Sequence, residues 1–318
     1  MEFIRNFTQL GKNDASIAGG KGASLGEMTQ AGIPVPPGFV ILADAFEQFL
    51  TESKLHIEIE AELKSVNYKD MNSVERVSEK ITSMILSAEI PADIAGEIRA
   101  DFAKLDAKFV AVRSSATAED GSSASWAGEL ESYLNTTEAT LLENIKSCWA
   151  SLFTPRAIFY RIEKEMHTEK VSVAVVVQKM VQSEVSGITF TVHPVTEDRN
   201  QMVIEAGFGL GEAIVGGMIT PDNYVINKTD FTIEDTYISD QDTMIVRSDS
   251  GTIEIEVPID QIGMQKLSEK KIVELAKICL NIEKHYGFPC DIEWAFENEK
   301  FYIVQSRPIT TISGSNAI

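Results

Sequence analysis

The rhythm of hydrophobic positions changes along this 318-residue chain. Residues 1–42 open strand-like, pass through Gly19-Gly20-Lys21-Gly22 into a short helical run ending at Met28, and reach Pro34-Val35-Pro36-Pro37-Gly38. Those prolines force an extended path into Phe39–Leu42. Residues 43–106 read as helices with polar faces; Asp44 is placed to cap the first, and Pro91 to enter the first turn of another. Phe109–Val112 reads as a short buried strand, Arg113–Gly128 as a loop of small and polar residues, and 137–166 as helix capped by Thr137. From Val171 onward strands dominate: Val171–Val181, Gly187–Val192, Met202–Ala206, Asn223–Asn227 and Ile253–Val257. A long helix from Leu267 to Tyr286 carries Leu267, Leu275, Ile278, Ile282 and Tyr286 on one stripe. The chain closes on two alternating runs, Asp291–Ala295 and Phe301–Pro308, separated by a hairpin-sized polar interruption at Glu297–Lys300.

This change of rhythm predicts a mixed lobe over 1–170, a strand-rich lobe over 171–312 and a disordered tail over 313–318. A ligand is expected in the cleft between two such lobes. Composition narrows the partners. A net charge of −20 with no basic block argues against nucleic acid and against an anionic membrane. The three cysteines, Cys148, Cys279 and Cys290, form no C-x-x-C pair, so neither a disulfide framework nor a zinc site is expected, and a reducing compartment fits. The N-terminus does not read as a signal peptide, and the longest apolar run, Val173–Val177, is too short to span a bilayer. A cytoplasmic location follows as the expectation.

The closing hairpin offers the most specific chemistry. Residues two apart in a strand share a face, so Asp291 and Glu293 point one way, as do Gln305 and Arg307. Paired across the turn, they present carboxylates, an amide oxygen and a guanidinium on one surface. That set suits a hard divalent cation holding phosphate oxygens; it also suits a solvated sheet face with a surface ion pair. Gly19–Gly26 fits a phosphate loop, in which glycines admit the anion to backbone N–H groups, or a plain glycine turn; its spacing is not that of a Walker A loop. Arg113, at a strand end, is a guanidinium suited to phosphate, and the hydroxyl-rich stretch after it could wrap a polyphosphate or be a mobile surface loop. Gln178 and Met180, where an apolar strand turns polar, could read and pack on an adenine, with Glu184 beyond them accepting from a ribose; a core strand running into a turn is the plainer reading. Gly207-Phe-Gly209-Leu-Gly211 invites a dinucleotide fold, but the third fingerprint glycine is replaced by Glu212 and the βαβ rhythm is missing.

Several blocks, in order, carry a resemblance. They are Gln-Leu-Gly-Lys-Asn-Asp (9–14), Gly-Gly-Lys-Gly-Ala-Ser-Leu-Gly-Glu-Met (19–28), Val-Pro-Pro-Gly-Phe (35–39) and Arg-Ser-Ser-Ala-Thr-Ala-Glu-Asp (113–120). Further along stand Ser-Leu-Phe (151–153), Arg-Ala-Ile (156–158), Gly-Leu-Gly-Glu (209–212), Ile-Glu-Lys-His-Tyr-Gly (282–287), Asp-Ile-Glu-Trp-Ala (291–295) and Gln-Ser-Arg-Pro (305–308). Across essentially its whole length the chain resembles the N-terminal nucleotide-binding domain of the phosphoenolpyruvate synthase (pyruvate, water dikinase) family, with pyruvate, phosphate dikinase and rifampicin phosphotransferase in the wider group. The resemblance implies an α+β, ATP-grasp-like fold of two lobes with ATP in the cleft between them. It implies that Lys21 and Arg113 hold phosphates, backbone amides around Gly128 cap them, Gln178 and Met180 border the adenine, and Glu184 the ribose. Glu293 and Gln305, with Asp291 nearby, would hold Mg²⁺, and Arg307 would contact the phosphates.

Two departures qualify the pattern. The stretch from Glu119 to Glu129 has Gly121 and serines where the family more often has Met/Leu-Pro-Asp, Trp126 for Phe and Glu129 for Gln. A more flexible lid and an added negative charge are expected. Full-length members also continue into a swivelling domain with a phosphorylated histidine and an acceptor-binding domain. The sequence therefore reads as a nucleotide-binding part whose histidine partner is a separate domain or subunit. It is expected to transfer a phosphoryl or pyrophosphoryl group from Mg·ATP to that histidine, ultimately to pyruvate. Rifampicin-phosphotransferase-like and phenylphosphate-synthase-like modules are alternatives, as is a non-catalytic ATP-binding regulatory protein.

Overall fold

The computed structural model describes residues 2–117, 131–163, 172–249 and 251–310. Gly128, the rest of the expected lid from 118 onward and the tail from 313 to 318 lie outside the described residues. The architecture is mixed helix and sheet, as expected of the α+β class. Two compact units form, Met1–Glu27 with Pro37–Met180, and Met28–Pro36 with Val181–Ile318.

The first unit holds β1 (Ile4–Asn6), α1 (Ala15–Gln30, whose last turn belongs to the second unit), β2 (Gly38–Ile41), α2 (Ala43–Glu52), α3 (Leu55–Ser65), α4 (Met71–Ser87) and α5 (Ala92–Lys104). β3 (Val110–Ala116), β4 (Ser132–Thr136), α6 (Leu141–Ala150), α7 (Pro155–Glu163) and β5 (Val173–Lys179) complete it. Its antiparallel sheet runs β1-β2-β5-β3-β4. One face carries Phe39, Ile41, Val110, Val112, Val173, Val175 and Val177 into a core with the apolar stripes of the helices, such as Val74, Val77, Ile81 and Ile85 of α4. Phe46, Phe49 and Trp149 stack at its centre, with ring centroids 5.0–6.5 Å apart.

Several local expectations shift. β3 continues through Ala116, so Arg113 stands within a strand rather than opening a loop. Asp44 lies in the first turn of α2, where its charge suits the helix dipole, and Leu42 takes the cap position. Pro91 occupies the cap of α5, its extended ψ placing it just outside the helix. Thr137 begins a turn, and the helix starts only after Thr140. β5 was expected in the strand-rich lobe, yet it pairs with β2 and β3 at the centre of the first sheet. An unbroken apolar run indicates burial on both faces but not which sheet receives it.

The second unit holds β6 (Val185–Phe190), β7 (Gln201–Phe208), α8 (Glu212–Val215), β8 (Asp222–Asn227), β9 (Ile233–Tyr237), β10 (Thr243–Ser248), β11 (Gly251–Glu256), α9 (Glu269–Tyr286), β12 (Cys290–Glu297) and β13 (Lys300–Pro308). A six-stranded antiparallel sheet runs β13-β12-β6-β7-β8-β9, and β10-β11 forms a separate hairpin. α9 packs Ile272, Leu275, Ala276, Cys279 and Ile282 against one face, where Met202, Ile204, Ile226, Ile292 and Trp294 are buried. β9 and β10 escape the sequence reading: Ile-Glu-Asp-Thr-Tyr is an exposed edge strand with no alternating apolar side to reveal it. Among the described residues no helix is long and apolar enough to cross a membrane.

Candidate functional site

In the first unit, the sheet face opposite the large core carries Arg113 and Ser115 of β3, Val176 and Gln178 of β5, and Gly38 and Val40 of β2. α1 lies on this face and is kinked at Gly19, whose φ of 68° and ψ of 168° fall in a region open essentially to glycine. The kink interrupts the helical hydrogen-bond ladder. Ser115 fills the gap, its hydroxyl donating to the Ala18 carbonyl (3.0 Å) and accepting from the Gly22 N–H (3.2 Å). A Cβ at Gly19 would fall 2.3 Å from the Ser115 carbonyl oxygen, and one at Gly22 would come within 3.1 Å of Val40. The glycines are thus set by close packing of α1 onto the sheet, and Lys21 is carried beside the strand that bears Arg113. Burial pushes the nearby Cys148 thiol well above its usual range, the Glu131 charge adds to this, and the charge of Lys21 opposes it. Gln178 is buried, and the half-buried Met180 donates its N–H to the Phe109 carbonyl (3.1 Å).

In the second unit, the hairpin register sets Asp291 opposite Arg307 and Glu293 opposite Gln305. Directly opposed residues share a face, so the four side chains expected to converge do stand on one surface. Arg307 donates to Asp291 Oδ2 from Nε (2.8 Å) and lies 2.7 Å from the same oxygen through a terminal nitrogen. That geometry fixes the plane of the guanidinium. A bulge after Glu293 shifts the register. Continuing across the sheet, Gln305, Glu293, Ile188, Glu205, Asn223 and Tyr237 form one row, and Arg307, Asp291, Phe190, Val203, Val225 and Asp235 the next. Glu205 therefore joins the face, a residue sequence reasoning missed. Burial holds its carboxyl above the ordinary range, and the Asp291 charge raises it further. A lone carboxylate in the apolar run of β7 was the available signal; its partnership with the hairpin depends on strand order, which periodicity does not reveal.

Glu184, just before β6, is exposed. Its backbone N–H donates to Phe296 (2.9 Å), and its side chain accepts from the Asn298 N–H at the β12–β13 turn (2.9 Å). The hairpin and the segment that bears Glu184 are therefore locked together within the second unit.

Among the described residues no three His, Cys, Asp or Glu side chains gather as a ready metal cage. Glu293 and Gln305 offer one carboxylate and one amide oxygen on opposed strands. That sparse set fits Mg²⁺, which keeps waters and takes further oxygens from a bound phosphate.

The chain matches the family described as pyruvate phosphate dikinase, AMP/ATP-binding domain, over residues 15–317. It belongs to that family. Among its relatives, a protein named probable phosphoenolpyruvate synthase from Methanocaldococcus jannaschii is 47% identical over 98% of this chain and 27% of its own length. Phosphoenolpyruvate synthase from Pyrococcus furiosus is 40% identical, with 98% and 44% covered. Rifampicin phosphotransferase from Bacillus cereus is 38% identical, with 98% and 36% covered. The chain thus spans less than half the length of these relatives.

Proposed function

We propose that this member of the family is the ATP-grasp-type nucleotide-binding part of a phosphoenolpyruvate-synthase-like dikinase. It binds Mg·ATP and passes a phosphoryl or pyrophosphoryl group to a histidine on a separate domain or chain, from which the group ultimately reaches pyruvate. The observation that carries this reading is the hairpin register, Asp291 opposite Arg307 and Glu293 opposite Gln305, in a chain that matches the family along nearly its whole length.

In this reading Lys21 and Arg113 hold phosphate oxygens, with backbone amides around Gly128 capping them. Gln178 and Met180 border the adenine, and Glu184 accepts from the ribose. Glu293 and Gln305 would hold Mg²⁺, with Asp291 nearby, and the ion would supply charge neutralisation at the phosphates. Asp291 aims the Arg307 guanidinium. A histidine ring nitrogen forms a bond to phosphorus as the P–O bond to the departing nucleotide breaks, and Lys21, Arg113 and Arg307 stabilise the negative charge that spreads over the oxygens. Catalysis is then positioning and charge stabilisation, with no covalent intermediate on this chain.

Titration calorimetry with Mg·ATP tests binding, and labelling of a supplied histidine domain tests transfer. Arg113→Ala and Arg307→Ala are each expected to lower transfer by about 10³-fold or more while the fold persists. Unchanged transfer in both variants would refute the phosphate roles. The relationship to rifampicin phosphotransferase favours a second reading with the same nucleotide chemistry and a different final acceptor. Transfer from the phosphorylated histidine domain to pyruvate or to rifampicin separates the two.

A further inference from the structure

The glycine turn after β7 is tied by hydrogen bonds to three other segments of the second unit. Gly209 has a φ of +86°, and a Cβ there would fall 2.5 Å from the Ile245 carbonyl oxygen. Its N–H donates to the Glu184 carbonyl (3.0 Å), and its own carbonyl accepts from the hydroxyls of Ser183 (3.0 Å) and Ser186 (2.7 Å). Leu210 donates to the Ile245 carbonyl (2.8 Å). Behind the turn stands Gln241, only 1% exposed. Its amide oxygen accepts from the Phe208 N–H (2.8 Å), and its amide nitrogen donates to the carbonyls of Phe208 (3.0 Å) and Thr243 (3.0 Å). A side-chain amide here does the work of a neighbouring strand, fixing the end of β7 just before the turn. An open hollow of about 450 Å³ lies beside this assembly, lined by Gln182, Ser183, Leu210, Val246, Arg247 and Glu297.

We propose that Gln241 is a positioning residue for ribose recognition, acting through the Gly207–Gly211 turn to hold the Ser183–Ser186 segment and thereby the Glu184 carboxylate. The inference rests on the reading of Glu184 as the ribose acceptor. Gln241 touches no nucleotide; its effect travels through Phe208 and Gly209 to the backbone of Glu184, which the Phe296 carbonyl fixes from the other side. Loosening the turn should blur discrimination of the sugar while leaving phosphate and metal contacts intact.

The test uses the full 318-residue chain, with dissociation constants for ATP and 2′-deoxyATP measured by calorimetry in excess magnesium. One charge-assisted hydrogen bond to the 2′-hydroxyl gives the wild-type chain a preference of about tenfold for ATP. Gln241→Met, which keeps volume but loses all three hydrogen bonds, is expected to reduce that preference to about twofold. Ser186→Ala, which removes one donor to Gly209 and no bulk of consequence, reports the same coupling should Gln241→Met fail to fold, and is expected to reduce the preference to about fourfold. A folded variant that retains the full wild-type preference overturns the proposal. A wild-type chain that binds ATP and 2′-deoxyATP equally overturns the reading of Glu184 as acceptor from the 2′-hydroxyl, and the positioning role with it.

Discussion

The two sheets of this protein solve the same problem in different ways. Each packs helices on one face and carries candidate chemistry on the other, where the first sheet also seats α1. In the first unit that second face is mostly small and apolar, with Arg113 and Gln178 set among Val40, Val176 and Gly38. Order there comes from steric closeness: α1 fits only because Gly19 and Gly22 lack side chains where Ser115 and Val40 approach. In the second unit the corresponding face is a ladder of Asp291, Glu293, Glu205, Gln305 and Arg307, and order comes from strand register and hydrogen bonds. The consequence is a difference in fragility. A steric solution fails when any atom is added, whereas a register solution tolerates change on the surface and fails when its buried supports are cut.

The buried support of the second unit is Lys266 with Asp222, 2.9 Å apart and with both side chains fully buried. Asp222 also accepts from the Tyr224 hydroxyl (2.7 Å) and from the N–H groups of Ser239 (3.0 Å) and Lys266 (2.9 Å), so the charges are well satisfied. Lys266 in addition sits over the Phe208 ring, 5.3 Å from its centroid.

Four substitutions would sharpen or break this contrast. The largest effect is expected from Gly19→Ala, which combines a glycine-only backbone with overlap against the Ser115 backbone; about 4 kcal/mol of stability should be lost. Hydrogen exchange should show it in first-unit amides and leave β12 and β13 protected. Lys266→Met leaves an unpaired buried carboxylate and should cost about 3 kcal/mol. Here exchange should rise in the second unit, with β3 and β5 unaffected. Equal loss of protection throughout the chain, in either variant, would show that the two units do not differ in the way described.

A smaller effect is expected at Glu205. Its folded carboxyl titrates above its unfolded one, so the folded state binds more protons in the window above the ordinary glutamate range, and stability falls as pH rises through that window. Glu205→Gln removes this penalty. It should raise Tm by about 1–3 °C at pH 7 and by nothing measurable well below the ordinary glutamate range, at about pH 3, where the carboxyl is protonated in both states. A pH-independent shift would contradict the cause assigned to the raised carboxyl. The smallest effect belongs to Gly32→Ala. Gly32 shares a positive φ (+74°) with Gly19, but no atom lies within 4 Å of its missing Cβ, so strain alone remains, at about 1 kcal/mol. Gly32, in the Met28–Pro36 segment of the second unit, thus serves as a control with a positive φ and no steric overlap.

The hairpin was legible because its information is local. Alternation set the faces, and a short polar interruption set the turn, so Asp291, Glu293, Gln305 and Arg307 were grouped without knowledge of any other strand. The glycine kink was legible only as a glycine-rich stretch; its partner Ser115, far along the chain, was not. β5 was recognised as a buried strand and assigned to the strand-rich half, because apolar continuity carries no address. Glu205, Gln241 and the Lys266–Asp222 pair were missed for a common reason. Each looks unremarkable beside its chain neighbours and acquires meaning from residues of distant strands.

By itself, then, the sequence determined the α+β character, most of the strand and helix segments, and the surface shared by the closing ribbon's four polar side chains. These depend on periods of two and of 3.6 residues, which are properties of short stretches. Only the tertiary structure decided which sheet took β5, which carboxylate joined the ribbon's face and which amide braced the turn behind Glu184. Strand order and long-range packing are set by the sum of many weak contacts across the chain, and no short window of residues contains that sum.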